Sequence, residues 1–279
     1  MRAFMKNEQC VQFLQWALPR LNMRWPGYRK VRNQICKRVD RRLQDLSLRN
    51  VEEYQAYLEQ HADEWLQLDP LCRITISRFY RDKGVFAALG DEVLPSLARR
   101  AIGRGDAALR IWSAGCGSGE EPYTLAILWD LELRTRFPEL TIEIVATDAD
   151  PDMMRRAHDA CYKFGSLKDL PESWRDRAFS REDGTYCLKP DYRHNIEFLE
   201  QDIRQERPKG HFDLVLCRNL AFTYFDDAVQ LEVLRSIVGA MRDGAALIIG
   251  VHEKLPEEVE GLFVERPPIY NLTKSHNVR

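Results

Sequence analysis

The chain predicts an α/β fold, a doubly wound and mostly parallel sheet preceded by a small all-helical domain. Three observations carry this. From Leu109 onward, short apolar runs alternate with longer amphipathic stretches, the rhythm of βαβ units. A glycine-rich stretch, Gly115-Cys116-Gly117-Ser118-Gly119, joins one such run to a helix opening at Glu120. Before residue 75, apolar residues recur at helical and not at strand spacing.

The elements follow in order. Val31, Ile35, Val39 and Leu43 recur every four residues and mark a helix that Pro26-Gly27 precedes and Ser47 to Asn50 ends. Val51–Leu68 reads as one further helix, with Tyr54, Tyr57, Leu58, Trp65 and Leu68, broken at Asp69-Pro70. Phe79–Ile102 is helical with interruptions at Gly84 and Gly90. Strands are expected at Leu109–Trp112, Thr141–Thr147, Ile196–Leu199, Leu214–Cys217 and Ala245–Val251. Helices are expected at Pro122–Arg136, Asp152–Ala160 and Asp227–Met241. Leu262–Val264 and Ile269–Leu272, around Pro267-Pro268, form a closing hairpin. Residues 162–194 are too long for a connection and read as an inserted subdomain or lid, with a small hairpin at Asp183-Gly184. The domains are therefore 1–74, helical, and 75–279, the sheet domain with its insert.

Composition narrows the class. Hydrophobic residues make up 44% and charged residues 30%, which excludes a disordered or membrane-embedded chain. No apolar run reaches the length of a membrane span, and Met1 to Asn7 lacks the apolar core of a signal peptide, so a cytoplasmic location is expected. The seven cysteines are scattered and odd in number, without a CxxC pair; reduced thiols are expected, with neither a disulfide framework nor a zinc site. Histidines are dispersed as well, so no metal is implied.

Net charge is only −2, yet its distribution is uneven. Arg24, Arg29, Lys30, Arg32, Lys37, Arg38, Arg41 and Arg42 face only Asp40 and Asp45, and the next stretch, from Glu52 to Asp69, is acidic. This asymmetry fits either a pairing of internal faces or a docking surface for an acidic partner.

The glycine stretch sets the chemistry. Glycines allow a tight turn and a close approach of the backbone to a ligand. Asp148, ending the next strand, is suited to a ribose diol, the layout of a nucleotide site in a Rossmann-like sheet. Glu120 occupies the third glycine position of the dinucleotide fingerprint G-x-G-x-x-G, and with Glu121 it stands where a pyrophosphate would rest on the helix. S-adenosylmethionine (SAM) has no phosphate and carries a sulfonium cation, so these carboxylates favour it. Taken singly, Glu121 could be only a first-turn helix carboxylate, and Asp148 only an N-cap for the following helix.

Several stretches together resemble the CheR-type methyltransferases, which use SAM to esterify glutamate side chains of chemotaxis receptors. They are Arg32 through Leu58, Thr75-Ile76-Ser77-Arg78-Phe79-Tyr80-Arg81-Asp82, Trp112-Ser113-Ala114, Gly119-Glu120-Glu121-Pro122-Tyr123, Cys217-Arg218-Asn219 and Tyr224-Phe225-Asp226. The resemblance covers nearly the whole chain and implies the class I methyltransferase fold. It also implies a site: Thr75, Ser77 and Arg81 closing over the methionine moiety, and Ala114, Gly115 and Gly117 lining it with backbone. Glu121 would take the ammonium group and Asp148 the ribose, while Asp202 and Ile203 would flank the adenine. Asn219 and Leu220 would lie near the reacting methyl, where Arg81 and Tyr224 would act as the catalytic pair gripping the acceptor carboxylate.

The chain departs from the family pattern in four places. Thr75 replaces an asparagine, and the tyrosine expected four residues after Asn219 is the fifth, Thr223 taking its place. Gly250-Val251-His252-Glu253 stands for Gly-His-Ser-Glu. The stretch between Phe179 and Phe198, where some members bind a receptor tail peptide, is compact. Three functions are therefore weighed: protein-glutamate methylation, methylation of a small molecule or a different protein through a rebuilt pocket, and SAM sensing without catalysis. An acidic or carboxylate-bearing acceptor on the basic helices, no nucleic acid, no membrane insertion and a monomeric state complete the expectations.

Overall fold

The apolar runs after Leu109 pair into a seven-stranded sheet. Its strands are β1 (Ala108–Ala114), β2 (Thr141–Asp148), β6 (Ile196–Glu200), β7 (Phe212–Cys217), β8 (Met241–Ile249), β9 (Phe263–Arg266) and β10 (Ile269–Leu272). The order across the sheet is β6-β2-β1-β7-β8-β10-β9. The first five are parallel and β10 is antiparallel to both neighbours. Strand order reverses between β1 and β7, so a crevice opens there at the carboxyl ends of the strands, where such sheets take ligands. Ala114 lies opposite Thr147 on one side and Cys217 on the other, bringing three strand ends level.

This is the fold of a computed structural model that describes residues 7–259 and 263–272; Leu262, expected in the closing hairpin, and Met1 to Lys6 lie outside the described residues. The chain divides into two compact units, Met1–Ile74 with Thr223–Gln230, and Thr75–Phe222 with Leu231–Arg279.

In the sheet unit, branched residues are buried on β1, β2, β7 and β8, and Trp112 closes its one polar atom by donating to Thr147 Oγ1 at 3.0 Å. That is why those runs show no polar alternation: strands covered on both faces need none. Helices run at Lys83–Ala88, Leu94–Arg104, Glu120–Leu128, Pro151–Asp159 and Asp227–Ala240. The helix expected from Phe79 starts only at Lys83, because Tyr80 and Asp82 take left-handed backbone (φ 56° and 61°). Neither Gly84 nor Gly90 interrupts; Gly90 falls in a wide turn, Leu89–Val93, that continues the helix. A smaller antiparallel sheet, β3 (Cys161–Lys163), β5 (Thr185–Leu188) and β4 (Phe179–Glu182), lies within the inserted stretch, and Asp183 and Gly184 make its hairpin turn at positive φ.

The helical unit packs Asn7–Ala17, Arg32–Asp45, Val51–Gln60 and Glu64–Leu71. Ile35, Val39 and Leu43 are fully buried, the stripe that the spacing predicts. Asn50 caps the third helix by accepting from Glu53 N–H at 2.9 Å. The single helix expected over Val51–Leu68 is two helices. The chain turns at His61, and Glu64 then points inward to take Arg42 at 2.9 and 2.6 Å and the Tyr54 hydroxyl at 2.7 Å. Pro70 does not break the second helix but sits in its last turn, where it removes one donor near the end.

The segment Thr223–Gln230 belongs to this unit. Met23 bridges Phe225, Arg24 N–H donates to Tyr224 O at 2.9 Å, and Asp226 N–H donates to Asn22 O at 2.9 Å. A Cβ on Gly27 would stand 2.2 Å from Thr223 O, so only glycine admits this approach.

The cysteine expectation is corrected. Cys10 bonds Cys36, and Cys161 bonds Cys187 across β3 and β5. Helix packing and strand register bring these pairs together, and spacing along the chain carries no trace of either. Cys72, Cys116 and Cys217 are free and buried. Among the described residues no helix is long and apolar enough to cross a membrane.

Candidate active site

The glycine turn follows β1 directly. Gly115, Gly117 and Gly119 lie at φ 71°, 57° and 87°, left-handed backbone that side chains disfavour. Thr147 O accepts from Gly115 N–H at 2.8 Å and from Cys116 N–H at 3.0 Å. Asp148 Oδ2 accepts from Gly117 N–H at 2.8 Å, and Oδ1 from Asp150 N–H at 3.0 Å. The turn is thus laced to the end of β2, and Asp148 is held at the sheet's carboxyl edge. Asp150, not Asp148, caps the next helix, accepting from Asp152 and Met153 N–H at 2.9 and 3.2 Å. This removes the capping alternative for Asp148.

The paired glutamates part company. Glu120 is 1% exposed and turns under the loop, where the Ser118 hydroxyl reaches both carboxylate oxygens at 3.0 Å. Burial pushes its carboxyl above the usual range, against the hydrogen bonds of its own surroundings. Burial also pushes the Cys116 thiol up, which makes it an inert filler of the turn. Glu121 instead faces the strand ends. Its Oε1 accepts from the Ser113 hydroxyl at 2.8 Å and its Oε2 from Arg218 at 2.9 Å.

Arg218 is the residue that sequence reasoning passed over. Its guanidinium, 3% exposed, joins Glu121 to Asp82 Oδ2 at 2.7 Å and to the carbonyl of Arg81 at 2.9 Å, and lies 5.4 Å over the Phe86 ring. One arginine therefore ties the helix after the glycine turn to the segment carrying Ser77 and Arg81. The signal was present: a charge directly after the buried, wholly apolar end of β7 needs partners.

The remaining expected residues are placed as follows. Ser77 lies 3.3 Å from where a Gly117 Cβ would stand. Thr75 is half-buried two residues earlier. The Arg81 side chain folds back to donate to Ile76 O at 3.1 Å. Leu220 covers the turn, its Cδ2 only 2.4 Å from where a Gly115 Cβ would be. Asn219, before it, is left-handed at φ 56°. Past β6, Gln201 N–H donates to Asp148 O at 3.0 Å and Ile203 is buried, but the Asp202 carboxylate is chelated by Arg204, with contacts of 2.6 to 3.2 Å. The structure thus brings Ser77, Gly115, Gly117, Glu121, Asp148, Asn219 and Leu220 to one edge of the sheet unit. Tyr224 lies in the helical unit, its ring 4.9 Å from that of Tyr28. A separate cavity of about 430 Å³, lined by Asp82, Val85, Ala88, Val251 and Ile269 among others, contains no residue expected in the site.

This edge fits a cationic nucleoside better than a phosphate. A left-handed glycine cradle, a carboxylate fixed at the end of β2 and a second carboxylate on Glu121 offer acceptors for a diol and an ammonium group. The family model of the CheR methyltransferase SAM-binding domain matches residues 75–267. The chain belongs to the CheR methyltransferase family. Its sheet order and this match make it a SAM-dependent methyltransferase of the class I fold.

Relatives agree. The chemotaxis protein methyltransferase of Listeria monocytogenes is 34% identical over 193 residues, 69% of each chain. That of Escherichia coli K12 is 28% identical over 251 residues, 87% of this chain and 84% of its own. A 104.1 kDa protein of Rhodobacter capsulatus is 34% identical over 227 residues, and the chain spans 23% of its length. Among solved structures, the N-methyltransferase NodS of Bradyrhizobium japonicum with S-adenosyl-L-homocysteine is 17% identical, with a TM-score of 0.31 over 56% of this chain and 58% of its own.

Proposed function

We propose that this methyltransferase acts on a carboxylate, the glutamate side chain of a protein, as its resemblance to the CheR family implies. The observation that carries the reading is the one sheet edge that holds Gly115, Asp148, Leu220 and Glu121, the last tied by Arg218 to Asp82. Bound SAM supplies an electrophilic methyl on a sulfonium centre. The chain's residues then have one task, alignment, which is worth several kcal/mol, up to about 7–11 in the best intramolecular cases. A carboxylate acceptor is already ionised at neutral pH, so no general base is needed. Asp148 holds the ribose, Glu121 the ammonium group, and Ala114, Gly115 and Gly117 the methionine end. Thr75 and Ser77 close over it, and Ile203 packs beside the adenine. Arg204 chelates Asp202, so Asp202 acts at the adenine only through a reoriented side chain. The family resemblance gives Arg81 and Tyr224 the acceptor carboxylate; Arg81 reaches it only on leaving Ile76 O, to which it donates.

The docking surface is redrawn by the ion pairs. Arg42 is committed to Glu64, and Arg38 donates to the carbonyls of Leu71 and Arg73, so both serve inside the helical unit. Arg29, Lys30, Lys37 and Arg41 are exposed and are the residues that would meet an acidic partner.

One observation favours a different acceptor: the extra residue before Tyr224, with Thr223 held against Gly27 and Tyr224 against Tyr28. Transfer of labelled methyl from SAM in a whole lysate separates the readings. Alkali-labile label in a protein band supports the glutamate ester; label in the small-molecule fraction replaces it with a small acceptor.

A further inference from the structure

Glu253 is 8% exposed and stands in the altered Gly-Val-His-Glu stretch, outside every role assigned above. Its Oε2 accepts from Asn219 N–H at 2.8 Å and from Gly250 N–H at 2.6 Å, while its own N–H donates to Gly250 O at 2.9 Å. Cys217 and Ile249 are partners in the β7–β8 register. Glu253 therefore takes the amide of Gly250, the first residue after β8, and that of Asn219, the second after the adjacent parallel β7. An ionised carboxylate is the side chain best suited to hold two amides at one oxygen.

Gly250 fits the same device. A Cβ there would stand 2.7 Å from Glu253 Oε2 and 2.9 Å from Asn219 Oδ1. Gly250 is not at positive φ, so the glycine serves the close approach of the carboxylate and not a backbone conformation. The consequence reaches the cofactor edge through Asn219. Holding its N–H fixes the left-handed turn, and that turn lays Leu220 over Gly115.

We infer that Glu253 is a positioning residue for methyl transfer: its carboxylate clamps the ends of β7 and β8 and so sets Asn219 and Leu220 against the glycine turn. The inference rests on the cofactor site proposed above. Of the altered motif, only the glutamate need be kept for this role. Val251 and His252 are exposed and free to vary.

The test uses the full chain with Glu253→Ala and Glu253→Gln. Three quantities are read: S-adenosyl-L-homocysteine affinity by calorimetry, melting temperature, and hydrogen exchange at the Asn219 and Gly250 amides. Glu253→Ala should weaken the affinity about tenfold and expose both amides to exchange. Glu253→Gln, whose amide oxygen still accepts, should return to within about threefold of the parent. A folded Glu253→Ala with parental affinity and protected amides overturns the inference. So does a folded Glu253→Gln as weak as the alanine variant, because it would mean that charge and not the clamp matters. If the parent chain binds no S-adenosyl-L-homocysteine, the cofactor reading fails, and amide exchange alone then decides the clamp.

Discussion

The glycine turn after β1 and the segment Asn219–Asp226, proposed above to meet cofactor and acceptor, are built differently. The turn is held almost wholly by backbone: Gly115, Cys116 and Gly117 N–H groups all donate to the end of β2. Asn219–Asp226 hangs on a side chain at its first residue and is held by backbone pairs at its end, where it has passed from one unit into the other. Asn219 hangs on Glu253, Ala221–Tyr224 is a single helical turn, and Thr223 to Asp226 bond to Asn22–Gly27. A site fixed by backbone tolerates little change, because each N–H must be matched. The glycine turn keeps the family's motif, and the segment after Asn219 departs from it.

The largest effect expected is on the acceptor half. Arg81→Ala should lower turnover by about 10²–10³, the range for losing one charged donor at a reacting group, while leaving S-adenosyl-L-homocysteine affinity nearly unchanged. Equal losses in both would move Arg81 to the cofactor half and blur the contrast. Next comes Gly115→Ala, which adds left-handed strain and a contact at 2.4 Å with Leu220. Affinity for S-adenosyl-L-homocysteine should fall by about 2–3 kcal/mol by calorimetry. A variant that binds normally would show the turn to be less rigid than its hydrogen bonds imply. Asp148→Ala should cost about 1–3 kcal/mol of the same affinity, and an unchanged value would take Asp148 out of the site.

The smallest effect separates the units by pH. Burial pushes the Glu64 carboxyl up, but the hydrogen bonds from Arg42 and Tyr54 outweigh it and leave the group below its ordinary 4.5. A lowered folded value means that this pair stabilises fully above pH 4.5, and the contribution is lost as pH falls through the lowered value. Acid titration followed by the fluorescence of Trp16 and Trp65 should show that loss, and Glu64→Gln should abolish this pH dependence.

Much of the sheet unit was readable from the sequence. Strands buried on both faces appear as unbroken apolar runs, and left-handed turns demand glycine, so β1, β2, β7 and the cradle announce themselves. What stayed hidden depends on contacts distant in sequence. Glu64 meets Arg42 only across the break at His61, two cysteine pairs meet only after packing, and Arg218 reveals its partners Asp82 and Glu121 only once the strand ends align. Asp148 was ambiguous until Asp150 took the cap.

The antiparallel contact of Met23 with Phe225 also bears on how the protein is made. A ribosome adding about 5–20 residues per second releases Asn22–Gly27 on the order of 10 s before the segment that pairs with it. Through that interval Asn22–Gly27 lacks the segment that pairs with it. Most of the helical unit is thus synthesised before the sheet strands but completed after most of them, and a nascent chain halted before Thr223 would carry it unfinished.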